Sequence, residues 1–302
     1  MEGLPLELVA YILQLVAYAL RSTDRIKVVQ LASTSSFVYE AVAPILYERI
    51  VIKAANAGAF SALIKNEAAA TRILSHARFL HADASCVIML SSAAALFVNV
   101  QAIFGSVYLW NEIARVQARC GTAIASDLRV YTNNLLNNLR EVHQPHLRSL
   151  TRLHACLPLQ SMLAGDGTGW TRSMLDLLPC LTHLGFSAKH INPSTARDIE
   201  MEVLAEIMQT VAASQQPCIE MFAVNLVGQA ALYWDAYVRI AQNMKGDWAL
   251  RCMWFRVDSR VINDWFAEDP STIHDAQKEL SIWTEATPLR WHLEIIAFLG
   301  GI

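Results

Sequence analysis

The chain has 302 residues, 54% of them hydrophobic and only 17% charged, with a formal net charge of -3 and a mean hydropathy of +0.30. That length allows a large core without metal or disulfide staples, and the charge balance offers no basic field for a nucleic-acid backbone or an anionic membrane. So apolar a chain must cover each element with a neighbour, a demand that stacked units meet.

From Pro5 to Ala19, the residues Leu8, Ile12, Leu15 and Ala19 recur at helical spacing behind the turn Leu4-Pro5, predicting a first helix. The apolar run Leu4 to Leu20 contains Glu7 and Gln14 and ends at Arg21, short of the roughly 18 uncharged residues of a membrane span, so none is expected. Met1-Glu2-Gly3 lacks the basic opening of a secretory signal, which predicts an intracellular protein, cytoplasmic or nuclear. Arg21 to Arg25 reads as a loop, and Ile26 to Ala32 and Phe37 to Val42 as two short helices, the second stopping at Pro44. Three such helices bury little alone, so the unit needs the following domain or a partner.

A helical stretch, Ala59 to Leu74, is followed by short apolar strands that repeat the pattern L-x-x-L-x-L-x-x-(N/C)-x-L. The best match is Leu181-x-x-Leu184-x-Phe186-x-x-Lys189-x-Ile191, and the next Ala125-x-x-Leu128-x-Val130-x-x-Asn133-x-Leu135. Shorter matches start at Ala77, Val100, Leu150, Ile219 and Leu250, the last continuing to Met253, Phe255 and Asp258. Their spacing is uneven and in its later part wider than the about 20 to 29 residues of regular leucine-rich repeats. Each strand-plus-helix unit has an apolar face it cannot bury alone, which predicts an irregular α/β solenoid with parallel strands. Between strands, Ile199, Val203, Ile207 and Val211 predict an outer helix over Ser194 to Ala213. Asp269-Pro270 supplies an N-cap and N1 proline for a late helix, and Trp291 to Leu299 is expected to cap the open end.

No residue pattern announces catalysis. Cys86, Cys120, Cys156, Cys180, Cys218 and Cys252 form no C-x-x-C pair and read as reduced, mostly buried thiols. The turn Gly165-Asp166-Gly167-Thr168-Gly169 lacks the lysine of a phosphate loop and reads as a flexible connection. His143, His146 and His154 read as surface or loop histidines, because Pro145 breaks any helix that would align the first two. Glu200 and Glu202 point to different helix faces, and Trp248, Trp254 and Trp265 read as core or cap packing. There is no G-x-S-x-G elbow, H-E-x-x-H helix or dinucleotide fingerprint, so no cofactor, metal or enzymatic activity is expected.

The N-terminal residues also carry a resemblance. Leu4-Pro5-x-Glu7-Leu8, then Ile12-Leu13, Val29-x-Leu31-Ala32-Ser33 and Ala43-Pro44-x-Leu46-Tyr47-x-x-Ile50 resemble the F-box-like start of a large, diverse set of fungal proteins. Phe37 stands where that family often has a tryptophan, and the loop after the first helix is longer than in a compact F-box. Asp258-x-Arg260-Val261 and Ile282-Trp283-x-x-Ala286 resemble the strand and helix that often close these proteins. The resemblance implies an F-box-like helical module over residues 1–52 and a leucine-rich-repeat-like solenoid with C-terminal capping helices over 53–302. It further implies that Leu4, Pro5, Leu8, Ile12, Leu31, Pro44 and Tyr47 bind a Skp1-type adaptor of a cullin-RING ubiquitin ligase, while the solenoid binds a protein substrate of unknown identity. The same N-terminal face would serve equally to pack on the protein's own helices, which leaves a non-enzymatic scaffold, its F-box-like segment only capping the solenoid, as the alternative.

Overall fold

Glu7 is the only charge between Pro5 and Leu20, and this stretch folds into α1 (Leu6–Leu20), with the Pro5 carbonyl accepting the amides of Leu8 and Val9 at 3.0 and 3.1 Å. The computed structural model describes residues 5–20, 25–131, 135–158, 167–189, 206–214, 219–227, 253–258 and 287–288. The chain divides into two units, 1–105 with 109–125, and 106–108 with 126–302.

In the first unit α1 is followed by α2 (Arg25–Ala32) and α3 (Ser36–Leu46). Ser35 caps α3 by accepting the Val38 amide at 3.2 Å, the role its hydroxyl plays at an N-cap. The predicted stop at Pro44 does not hold. Pro44 lies inside α3, which continues to Leu46 and closes through Tyr47 N–H to the Ala43 carbonyl at 2.9 Å. A proline there lacks the amide that would reach back to Glu40, but Ala41, Val42, Ala43 and Leu46 are all buried, and that burial holds the turn.

The chain then runs through β1 (Arg49–Ile52), α4 (Ala57–Lys65), α5 (Glu67–Leu74), β2 (Phe79–Ala82), α6 (Val87–Ser92), β3 (Ala102–Gly105) and α7 (Val107–Cys120). The single helix predicted over Ala59 to Leu74 is two helices, because Asn66 interrupts it and its side chain accepts the Ala69 amide at 3.2 Å as the cap of α5. β1, β2 and β3 are parallel neighbours, with Ile50 opposite Leu80 and Leu80 opposite Ile103. Ile52, Leu80 and Ile103 are buried, as are Leu74, Leu90, Phe97, Leu109, Trp110 and Ile113 of the same unit.

A polar clamp crosses this core. The buried Gln117 amide donates to the Val100 carbonyl at 2.7 Å, its oxygen accepts Ala125 N–H at 2.8 Å, and Trp110 Nε1 donates to the Ala125 carbonyl at 2.9 Å. α7 ends on Gly121, at φ +68°, with Thr122 N–H bonded to the Gln117 carbonyl at 3.0 Å and Gly121 N–H to that of Ala118 at 3.3 Å, a Schellman closure.

The second unit holds β4 (Asp127–Tyr131), α8 (Leu135–Arg140), α9 (Gln144–Leu147), β5 (Arg152–Pro158), α10 (Gly167–Leu177), β6 (His183–Lys189), helical residues 206–213, β7 (Met221–Val227), β8 (Met253–Asp258) and β9 (Thr287–Pro288). Its strands lie in sequence order, parallel from β4 to β8, with β9 antiparallel at the edge. The register sets Leu128, Leu153, Leu184, Phe222 and Met253 side by side, and Val130, Ala155, Phe186, Val224 and Phe255 in the next row but one. All seven repeat segments found in the sequence thus coincide with strands, in the frame that the pattern assigns. The protein is α/β, with described helical residues between each strand and the next from β1 to β7.

Local readings change at three further places. Gly167 to Gly169 open α10 rather than extending a loop, with 165 and 166 outside the described residues. Pro145 sits in the first turn of α9, where its missing amide costs nothing, rather than breaking a helix. Cys86 is buried as expected, but Cys120 and Cys180 are exposed. Ile207 and Val211 are buried on helical residues 206–213, whereas the rest of that predicted helix, Asn133, Trp248, Trp265 and the capping segments at 269–286 and 291–299 lie outside the described residues.

Leu184 is fully buried at the centre of the second unit's ladder. Leu184→Asp is therefore expected to cost several kcal/mol, on the order of a buried unpaired carboxylate, while Lys189→Ala at the strand's end costs far less; equal losses in circular-dichroism melts would refute this register. Gln117→Leu leaves the Val100 carbonyl and the Ala125 amide without their partner and should cost about 1–3 kcal/mol in chemical denaturation.

Candidate functional site

Three helices with small inward residues form the N-terminal module. Its buried centre is Ala17, Val28, Ala32, Val42 and Leu46, with Leu13, Leu20, Leu31, Val38, Tyr39, Ile45 and Tyr47 packed around it. Arg72 of α5 places its guanidinium 4.6 Å over the Tyr39 ring, tying α3 to the next layer of the same unit.

Around the α1 axis, Val9, Leu13, Ala17 and Leu20 share the inward side at helical spacing, and Leu8, Tyr11, Ile12, Leu15 and Tyr18 share the opposite one. The second set is exposed: Leu8 42%, Ile12 43%, Leu15 52%, Tyr18 57%. Ile26 and Val29 on α2 and Phe37 on α3 are exposed too. A solvent-facing helical surface ordinarily carries charges; this one carries large apolar side chains, a feature that marks interaction surfaces.

The seven residues singled out in the sequence divide accordingly. Pro5, Leu8 and Ile12 lie exposed on α1 or at its start, and Pro44 is exposed on α3. Leu31 and Tyr47 pack against the module's own core, with the Tyr47 ring 6.3 Å from that of Tyr39. Leu4 lies outside the described residues. Sequence reasoning passed over Tyr11, Leu15, Val16 and Tyr18, although the near absence of charge from Leu6 to Leu20 was the signal for them.

The sheets carry a second group of polar side chains. In the first unit His81 is mostly buried on β2, its ring edge-on to Phe104 with centroids 4.3 Å apart, and Asp83 Oδ1 stands 3.9 Å from Nε2, beyond hydrogen-bond distance. Burial, aided by the Lys53 charge, pushes the His81 pKa down to about 4, so the ring is neutral at neutral pH. In the second unit the face opposite the leucine ladder carries Asp127 and Arg129 on β4, Arg152 and His154 on β5, and His183 on β6. His154 and His146 are buried, not surface or loop histidines; His143 alone of that trio is exposed. Among the described residues no group of three His, Cys, Asp or Glu side chains could hold a metal ion, and no helix is long and apolar enough to cross a membrane.

No family model, curated protein or solved structure matches this chain.

A histidine whose folded-state pKa lies below its ordinary 6.5 takes up its proton in the unfolded chain first as pH falls. The stability that neutral His81 contributes is complete above pH 6.5 and is lost between 6.5 and about 4, on the order of 3 kcal/mol in all. Thermal melts should show this loss in the wild type and a shallower one in His81→Leu; identical slopes would contradict it.

Proposed function

We propose that this protein is the substrate-recognition subunit of a Skp1-cullin-F-box type ubiquitin ligase, one that performs no chemistry itself. The helices α1 to α3 dock on a Skp1-type adaptor inside the cell, and a leucine-rich-repeat-like solenoid built from the strand-and-helix units recruits a protein substrate. Holding the substrate near the ubiquitin-transfer machinery raises its effective concentration there. The observation that carries the reading is the outer face of α1, apolar across Leu8, Tyr11, Ile12, Leu15 and Tyr18, exposed, and followed by repeated units. The motif residues from Leu4 to Ile50 support it.

A second reading, a scaffold in which the F-box-like segment only caps the array, is favoured by one observation: Leu31 and Tyr47, two of the motif residues, pack inward.

Leu8 and Ile12 are exposed, so Leu8→Ala/Ile12→Ala should leave the melting curve unchanged. If these are adaptor anchors, each truncation costs about 2 kcal/mol of binding, and co-purification with a Skp1-type adaptor weakens well beyond tenfold. A wild-type chain that shows no adaptor binding at micromolar concentration would end the ligase reading and leave the capping scaffold.

A further inference from the structure

β1 stands first in the strand order, so among the described residues only β2 pairs with it. The Glu48 and Ile52 carbonyls point to β2, the first taking the amides of Arg78 and Phe79 and the second that of Asp83 at 3.0 Å. By the alternation of a strand, Val51 and Lys53 turn their backbone groups to the other side, where no strand lies among the described residues. Ile50, Val51 and Ile52 are β-branched, and an edge of that composition is a template for another strand.

The side chain of Asn56 fills that side. Its Nδ2 donates to the Val51 carbonyl at 2.9 Å, and its Oδ1 accepts the Lys53 amide at 2.7 Å. One residue of an added parallel strand would make the same two bonds, donating its amide to the carbonyl before Ile52 and accepting at its own carbonyl the amide after Ile52. The bond from Lys53 belongs to the local turn, because Lys53 precedes the short helical turn Ala54–Asn56 and its amide is bonded by the third turn residue, as in a capping box. The bond to Val51 does not: that carbonyl lies within β1, and capping the turn does not require it. The far end of the strand order is blunted too, for β9 is two residues long and contains Pro288, which has no amide.

We infer that Asn56 is an edge cap: its carboxamide occupies the place of an added strand on β1 and keeps a second copy of this chain from pairing there through its own β1. A strand that adds to this edge has to displace two hydrogen bonds already made, so it gains little at Val51 and Lys53. With the side chain removed, the same carbonyl and amide become the acceptor and donor that strand addition uses. The inference concerns the sheet's edge and stands apart from adaptor docking, which is read through α1.

The test is fluorescence anisotropy of a labelled peptide with the sequence of residues 48–53, the β1 of a second copy, titrated with the full chain. The peptide carries no α1, so association through the exposed α1 face does not enter the reading. Asn56→Ala is expected to bind it at least tenfold more tightly than the wild type does. Asn56 is exposed, and a circular-dichroism melt shows whether the variant is folded. A turn cap and nothing more would lower the melting temperature and leave the two chains binding the peptide equally, or not at all; either result overturns the inference, as does tighter binding by the wild type. Should the variant not fold, hydrogen exchange on the wild type decides. The Lys53 amide is expected to exchange at least tenfold more slowly than an open amide of the same sequence, and exchange at the open rate overturns the inference.

Discussion

The structure depends on how each parallel strand is started. In both units a carbonyl just ahead of one strand accepts two successive amides of the next: Glu48 takes Arg78 and Phe79, Arg78 takes Gln101 and Ala102, Ser126 takes Thr151 and Arg152, Thr151 takes Thr182 and His183, and Thr182 takes Glu220 and Met221. These shared acceptors fix the register at the start of each strand. The register in turn decides which residues are inside, because a slip of one position would turn Leu128, Leu153 and Leu184 outward and bring Asp127, Arg152 and His183 to the apolar side. Position by position, the apolar ladder and the backbone bonds agree, and that agreement is what makes an irregularly spaced set of repeats fold in one frame.

Irregular spacing is tolerated because the strand starts and the ladder are short-range features, whereas the connections are free to vary. A parallel pair needs a crossover of about a dozen residues or more, and beyond that minimum its length can vary. Between β4 and β5 the described crossover holds the short helices α8 and α9; between β5 and β6 it holds α10. This is why the strands were legible in the sequence. Three-residue spacing from Leu181 to Leu184 and two-residue spacing on to Phe186 are local signals, and the same frame recurs in all seven segments. The ends of helices were less legible, since they turn on balances that tertiary packing decides: Pro44 is carried within α3 by a buried Ala41–Leu46 face, and Asn66 splits a run that periodicity alone reads as continuous.

The candidate sites were legible only in part. In sequence, Leu8, Ile12, Leu15 and Ala19 mark an apolar side of α1 at helical spacing, but the structure buries Ala17 and leaves all four of these outside, with Tyr11 and Tyr18 beside them. Exposure is a property of what else packs there, and no spacing rule contains it. The row of Asp127, Arg129, Arg152, His154 and His183 escaped for a different reason: its members come from three strands separated by crossovers, so they assemble only once the register is known. His154 looked like a loop histidine because it was judged with His143 and His146 by closeness in sequence, whereas it lies two residues into β5.

The outer face of α1 keeps apolar area in water, and the small residues beneath it, Ala17, Val28, Ala32, Val42 and Leu46, give the module a thin core with which to hold that area in place. A core of this kind contributes little cohesion by itself, so the position of the module relies on the continuity of α3 into β1 and on the Arg72 guanidinium stacked over Tyr39. Any partner that covers the face removes apolar surface from water at about 25 cal/mol per Å² and binds the folded form in preference to the unfolded one. By mass action it therefore stabilises the module on which it docks. Docking of a partner on α1 would accordingly be governed by buried area and change little with salt.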